Sequence, residues 1–345
     1  MDPSSPEGRT AVGLGVGPAE RRNHGPFYRS EELVGLIHQN VGMFGGLHPG
    51  YRAVHAYGRF YVGTFTATDA ASKLSRAAHF RGDPVPVSVR FSPSSGDPTA
   101  PAGAVMAMAT RFYLHHGTVT DLIGITLPAF PARTADEVAE LLTAGKEGPE
   151  RLGEFAAAHP ALVRIKHMVE TSPVPVSLPR TSFRALHTYR FVNSAGEATW
   201  ARYHWEPEAG TDGMAIEKLA SVPRTYLFDD LDHILRGGPA VWRLELELAE
   251  AGDPLDDVSE IWPEGRTRAV VGRLELTRPI EPGELGDPVM MHDPTQVTDG
   301  IEVHPDDEII SVRRGAYLAS AAERTGGWQD RAPALCPFSG TRTEP

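Results

Sequence analysis

His187-Thr-Tyr-Arg-Phe-Val-Asn-Ser-Ala-Gly-Glu-Ala-Thr-Trp-Ala-Arg-Tyr-His-Trp205 holds two runs rich in aromatic and β-branched residues, separated by a short polar stretch. His187–Asn193 and Ala198–Trp205 have strand composition, and Asn193-Ser-Ala-Gly196 has the chemistry to turn the chain, so the stretch reads as a β-hairpin. Six more segments of the same kind lie outside it: Ala53–Phe65, Val85–Ser92, Ala104–Leu114, Thr118–Leu127, Ala240–Ala249 and Ala269–Thr277. Most are bounded by Gly, Pro, Asn or Asp. Helical patterns interrupt them. Thr134–Gly145 has Thr134 as N-cap and Gly145 past its C-cap, and Gly148–Val169 falls in two pieces broken at His159-Pro160. A further pair spans Ala215–Leu235, and the last helix follows Asp306 and Asp307 and stops before Gly326. The chain is therefore α+β, and the expected architecture is a closed eight-stranded antiparallel β-barrel with inserted and C-terminal helices. Such a barrel can hold a ligand inside or at its flank.

The last helix carries the first chemical clue. At ~100° per residue, Tyr317 lies ~40° and Arg324 ~20° from Arg313 around the axis, so the three share one face. A guanidinium beside a phenol favours the phenolate, and a phenolate is a hard anionic ligand for ferric iron. The second guanidinium is spaced to pair with a carboxylate along the same face. On spacing alone, a Tyr with an Arg four residues earlier is more often packing beside a surface charge. The second clue is Tyr51-Arg-Ala-Val-His-Ala-Tyr-Gly58. Read as a strand, it places Tyr51, Ala53 and His55 on one side and Arg52 and Val54 on the other. Val89-Arg-Phe-Ser92 then offers Ser92, whose hydroxyl can fix the tautomer of His55 as a general acid–base requires.

Taken in order, YRAVHAYGRF, VSVRFS, ATRFYLHHGTVTDLIG, HTYRFVNSAGEATWARYHWEPEAG, DGIEVHPDDEIISVRRGAY and AAER resemble the successive landmarks of the haem catalase superfamily, from Tyr51 to Arg324. RxxxY alone is a weak motif; six ordered blocks are a strong one. The resemblance implies an antiparallel barrel with protohaem (haem b) held between it and a C-terminal helix. By position it makes Tyr317 the proximal iron ligand and Arg313 the support of its phenolate. It makes His55 the distal acid–base and Ser92 the hydroxyl that orients it. Arg52, Arg90 and Arg324 become the cations for the haem propionates, with Val54 and Phe130 as further cofactor-binding positions.

Two departures from that pattern shape the expected activity. After Asp121-Leu-Ile-Gly124 a true catalase has an asparagine that hydrogen-bonds peroxide, whereas this chain has Ile125, followed by Thr126. An apolar residue there dries the distal pocket and suits an apolar organic substrate. Thr126 compensates only if it turns inward in place of Ile125. The resemblance also ends near Arg324, so the expectation is a core without the wrapping arm and appended domain of larger catalases, similar to the catalase-related peroxidases. The reading favoured is a haem peroxidase using hydrogen peroxide or an organic hydroperoxide to oxidise an organic substrate, with weak catalase activity. A specialised haem enzyme of secondary metabolism is the runner-up. A non-catalytic haem carrier comes last, because it has no use for His55 and Ser92.

Composition sets the outer limits. Lys and Arg number 33 and Asp and Glu 45, a net charge of −12, which is not the footprint of a general nucleic-acid binder. The single cysteine, Cys336, excludes an intrachain disulfide, a Cys-rich zinc site and an iron–sulfur cluster. Any metal is left to oxygen or nitrogen ligands, unless Cys336 alone holds it. No signal peptide or membrane span is expected, since the longest apolar run, Ala102–Ala109, is too short; the expected location is cytoplasmic. Residues 1–25 read as a flexible tail, 26–327 as the haem-binding domain and 328–345 as a second tail. Gly13–Gly17 reads as part of the first tail rather than a phosphate loop. His115-His116 reads as a hairpin turn, Asp306-Asp307-Glu308 as an electrostatic cap and Met290-Met291 as packing. A homo-oligomer is expected, a dimer on base rates.

Overall fold

Alternation decides the strands. In Val85–Pro93, Val87, Val89 and Phe91 point one way and Ser88, Arg90 and Ser92 the other, so one face is apolar and the other polar. The computed structural model describes residues 31–41, 45–287 and 289–324. Its strands are β1 (Arg59–Ala67), β2 (Val85–Pro93), β3 (Met106–Tyr113), β4 (Val119–Ile125), β5 (Val174–Pro175) and β6 (Phe183–Arg184). They continue with β7 (Tyr189–Val192), β8 (Ala198–Pro207), β9 (Gly213–Met214), β10 (Ala240–Leu248), β11 (Arg268–Ile280) and β12 (Ile301–Val303). The helices are α1 (Glu31–Asn40), α2 (Asp69–Leu74), α3 (Ala135–Glu147), α4 (Pro149–Ala158), α5 (Pro160–Thr171), α6 (Tyr226–Leu235) and α7 (Glu308–Arg324).

Hydrogen bonding runs β10-β11-β1-β2-β3-β4-β6-β8, and β8 pairs back onto β10 from Trp242↔Pro207 to Leu248↔Ala201. That closes an eight-stranded antiparallel barrel. The interior is filled by Tyr61, Phe65, Phe91, Phe112, Trp205 and Trp242, none more than 1% exposed. Phe65 meets Phe112 edge-on at 5.2 Å and Trp205 at 6.2 Å, contacts worth ~0.5–1.5 kcal/mol each beyond their burial. Gly272 makes room for this cluster, since a Cβ there would meet the Phe65 ring at 2.1 Å. With the interior packed solid, any ligand must bind at the flank.

Three expectations change. The hairpin exists as β7 and β8, but β7 is not in the ring: it pairs outward with β12, and the two-residue β6 takes its place between β4 and β8. Just before β7, His187 is drawn to Asp307 and Thr188 accepts from Arg202 Nε, so the segment turns away from the ladder. Next, Tyr51–Gly58 is not a strand. His55 sits at φ 59°, in the left-handed region, which breaks the two-residue alternation assigned to it. Finally, α3 runs past Gly145 to Glu147 and ends at Gly148, whose φ of 122° suits only glycine; its Thr134 cap is present, accepting from Glu137 N at 3.2 Å. The break at His159-Pro160 stands, as does the His115-His116 turn between β3 and β4. Gly13–Gly17, Cys336 and both expected tails lie outside the described residues.

Candidate functional site

A cavity of about 330 Å³ lies between the outer face of β2–β4 and helices α1, α3 and α7. Arg52, Val54, His55, Arg90, Ser92, Phe130, Arg313, Tyr317 and Arg324 all line it. Residues far apart in sequence thus meet in one place.

The helical wall follows from period. Ile309, Val312, Arg313, Ala316, Tyr317, Ser320 and Arg324 recur at three- and four-residue steps, so one stripe of α7 faces the cavity. Arg313 donates from Nε to the Tyr317 phenol oxygen at 2.9 Å, and from Nη2 to the same oxygen. Its Nη1 lies 2.7 Å from His187 Nε2, and His187 Nδ1 lies 2.6 Å from Asp307 Oδ2. Arginine has only donors, so His187 must accept at Nε2 and carry its proton on Nδ1, donating to Asp307. Burial works against the charge on Arg313, but Tyr317 and the other groups around it hold its pKa above the ordinary value. Burial lowers the His187 pKa and outweighs the attraction of Asp307, so the imidazole is neutral. Asp307 Oδ1 also accepts from Ile310 N at 2.9 Å. The expected cap is therefore real, but it also ends a four-residue chain to the phenol.

The opposite wall comes from irregular backbone and three strands. Arg90 Nη2 donates to His55 O at 2.8 Å, pinning the left-handed turn that aims His55 inward. Ser92 Oγ lies 3.3 Å from His55 Nδ1. Gly58 lets Arg90 pass, because a Cβ there would sit 2.6 Å from the guanidinium carbon. Arg52, Ala53, Val54 and His55 all line the cavity, whereas Tyr51 is exposed; the assignment of Arg52 and Val54 to the face away from His55 fails with the strand itself. Across the sheet, Arg90↔Ala109↔Ile123 and Ser92↔Ala107↔Ile125 stand in register, so the middle strand presents only methyl groups to the cavity.

Charge and polarity match the fold's expectation. Burial, then Arg313 after Arg90, pushes the His55 pKa down to about 3, so the ring is neutral. Burial and Arg324 push Arg90 down to about 9; Arg52 falls well below its usual range for the same reasons, with Arg90 adding to the effect. Cations destabilised by burial and by each other call for anions, and the buried Arg90 Nε has no hydrogen-bond partner among the described residues. Flat alanine-lined strands, clustered guanidiniums and a phenol oxygen that already accepts two N–H bonds fit a planar iron porphyrin carrying two carboxylates. Ile125 faces this cavity. Thr126 does not: it lines a separate cleft beside α5, its Oγ1 accepting from Met106 N at 3.1 Å.

The residues missed by sequence reading are His187, Asp307 as more than a cap, and His292, which also lines the cavity. His187 opened the hairpin already quoted, but nothing local marks a partner 120 residues away. Of the two methionines read as packing, Met290 is buried in a small cluster and Met291 borders the cavity.

A family model described as catalase matches residues 48–343, starting just before Tyr51 and running past Arg324, where the quoted blocks stop. The chain is 35% identical over 288 residues to a catalase-related peroxidase of Mycolicibacterium paratuberculosis, covering 82% of this chain and 91% of the relative. A catalase-related peroxidase of Synechococcus elongatus is 28% identical over 292 residues, 82% and 86% respectively. Catalase isozyme 2 of Ricinus communis is 29% identical over 304 residues, 80% of this chain but 60% of the plant protein.

Proposed function

The chain belongs to the catalase family, and from that premise we propose a haem b peroxidase that uses hydrogen peroxide or an organic hydroperoxide to oxidise an apolar organic molecule, with weak catalase activity. One observation carries the choice within the family: Ile125 faces the cavity and Thr126 is turned away, so that stretch offers peroxide no amide or hydroxyl. Val138, Leu141 and Leu142 of α3 extend the apolar lining.

When bound, the haem supplies redox-active iron able to take up the oxidising equivalents of a peroxide. Tyr317 would hold the iron through its phenol oxygen, which Arg313 supports with two N–H donors. Arg52, Arg90 and Arg324 would receive its carboxylates, and Val54 and Phe130 would add apolar contact. His55 is neutral, so with its Nδ1–H donated to Ser92 Oγ it has a lone pair on Nε2 for a peroxide proton. Holding and returning that proton is the role His55 would supply to a bound peroxide. Ser92 sets the tautomer and Arg90 sets the backbone that aims the ring.

The test is Ile125→Asn. Oxygen release from hydrogen peroxide rises severalfold while oxidation of a bulky phenolic reductant falls. No gain in oxygen release sinks the assignment of the dry wall. The same wall also suits a specialised haem enzyme that oxygenates, couples or rearranges one apolar molecule, and a reductant screen without turnover would favour that reading. The protein is further proposed to be cytoplasmic, which cell fractionation would check, and a dimer, which light scattering of the purified chain would check.

A further inference from the structure

We propose that His292 is an additional anchor for the cofactor's carboxylates, donating an imidazole N–H beside the guanidiniums of Arg52 and Arg90. The inference rests on the haem reading above.

Its backbone is fixed from several sides. Arg52 Nη2 donates to Met290 O, Arg111 Nη2 donates to Met291 O, and Asp293 N donates to Asp121 Oδ2 at 2.9 Å. Arg111 is itself held bidentately by the buried Asp121, at 2.8 Å through both Nε and Nη2. A loop residue with such support has little freedom to move its side chain elsewhere. The His292 ring stacks on Phe60 with centroids 6.3 Å apart and planes 25° apart. The guanidinium carbons of Arg52 and Arg90 lie 6.0 and 5.7 Å from the centroid of that same Phe60 ring. Phe60 is thus a common platform for two of the cations assigned to the carboxylates and for this imidazole.

His292 has an unpartnered ring nitrogen. Its Nε2 is buried and has no hydrogen-bond partner among the described residues, and the residue lines the cavity. Burial and the surrounding Arg111, Arg52, Arg90 and Arg324 keep the ring neutral, so it carries one N–H and adds no further positive charge. Burying such a group without a partner is costly. His79 is the instructive contrast. It too is buried with an orphan nitrogen, but it packs among the rings of Phe65, Phe80 and Phe112 inside the barrel and does not line this cavity. Of these two, His292 is the one that faces a space where a carboxylate can complete it.

Two variants of the haem-loaded protein separate donation from packing. His292→Phe keeps a ring on Phe60 but has no N–H; His292→Gln keeps a donor but no ring. Haem transfer to excess apomyoglobin gives the release rate, and resonance Raman gives the propionate bending band. His292→Phe is expected to release haem about tenfold faster and to shift that band, with His292→Gln lying close to wild type on both. Wild-type release and an unshifted band in His292→Phe overturn the proposal. So does a Gln variant worse than the Phe variant, which would make the ring a packing element. A wild-type chain that takes up no haem fails at the earlier step and overturns the haem reading itself.

Discussion

The two walls of the cavity are built by opposite means. The α7 wall is regular helix, and its polar groups form a continuous chain from Asp307 through His187 and Arg313 to Tyr317. The facing wall depends on one left-handed residue, His55, pinned by Arg90, and beyond Ser92 it turns apolar along Ala107, Ala109, Ile123 and Ile125. The helix concentrates hydrogen bonding on a single oxygen. The loop and strands set His55 beside an apolar stretch of wall. The difference teaches that the first wall is assigned to hold the metal and the second to handle protons, so damage to each should read out differently.

Tyr317→Phe is the most damaging change. It removes the only oxygen on which the α7 chain converges, and the expected result is loss of the phenolate–iron charge-transfer bands together with peroxidase turnover. An unchanged spectrum would break the assignment of the α7 wall. His55→Ala comes next, with a drop of ~10²–10⁴ in turnover and an unaltered charge-transfer spectrum, because the metal side is untouched. Undiminished turnover would leave the second wall without its base.

The same contrast explains what could be seen in the sequence. Arg313, Tyr317 and Arg324 share a face because a helix repeats every 3.6 residues, and that periodicity needs no tertiary knowledge. The strands β2, β3, β4, β8, β10 and β11 were legible for the equivalent reason at period two. Tyr51–Gly58 misled because a single left-handed residue overrides an alternating pattern without leaving a trace in composition. At two residues, β6 is too short to show any period, so the ring's true member was hidden while β7 looked like one. His292 lies in a loop and draws its setting from Arg52, Arg111 and Asp121, which no local pattern predicts. The family blocks located the site; the partners that tune it came from long-range contacts.

A smaller effect tests whether the α7 chain acts as a unit. In Asp307→Asn, the amide oxygen can still accept from Ile310 N, so the helix cap survives. The amide nitrogen then faces His187 Nδ1–H, donor against donor. If His187 flips its proton to Nε2, it meets Arg313 Nη1, a donor again. Either way Arg313 loses part of the support that aims it at Tyr317. The expected cost is about 10- to 100-fold in activity or iron affinity, with a shifted charge-transfer band and a near-normal melting temperature. A large loss of stability with an unmoved band would mean that the chain is structural only.

The smallest expected effect is an absence of response to pH. An ordinary histidine base gives a step near ~6.5. His55, pushed down to about 3 by burial and by Arg90 and Arg313, stays neutral well below that point. Turnover measured within seconds of a pH jump should therefore be flat from pH ~8 to ~5. Stability behaves differently. The folded protein holds His55 and His79 at about 3 while the unfolded chain protonates them near 6.5, so between those values the unfolded state binds more protons. Stability is complete above 6.5 and is lost as pH falls through that window. Melting temperature should fall over the range where turnover, measured promptly, does not. A kinetic step near 6.5 would mean that His55 is either not the base or not buried when peroxide arrives, and the contrast between the two walls would lose its proton-handling side.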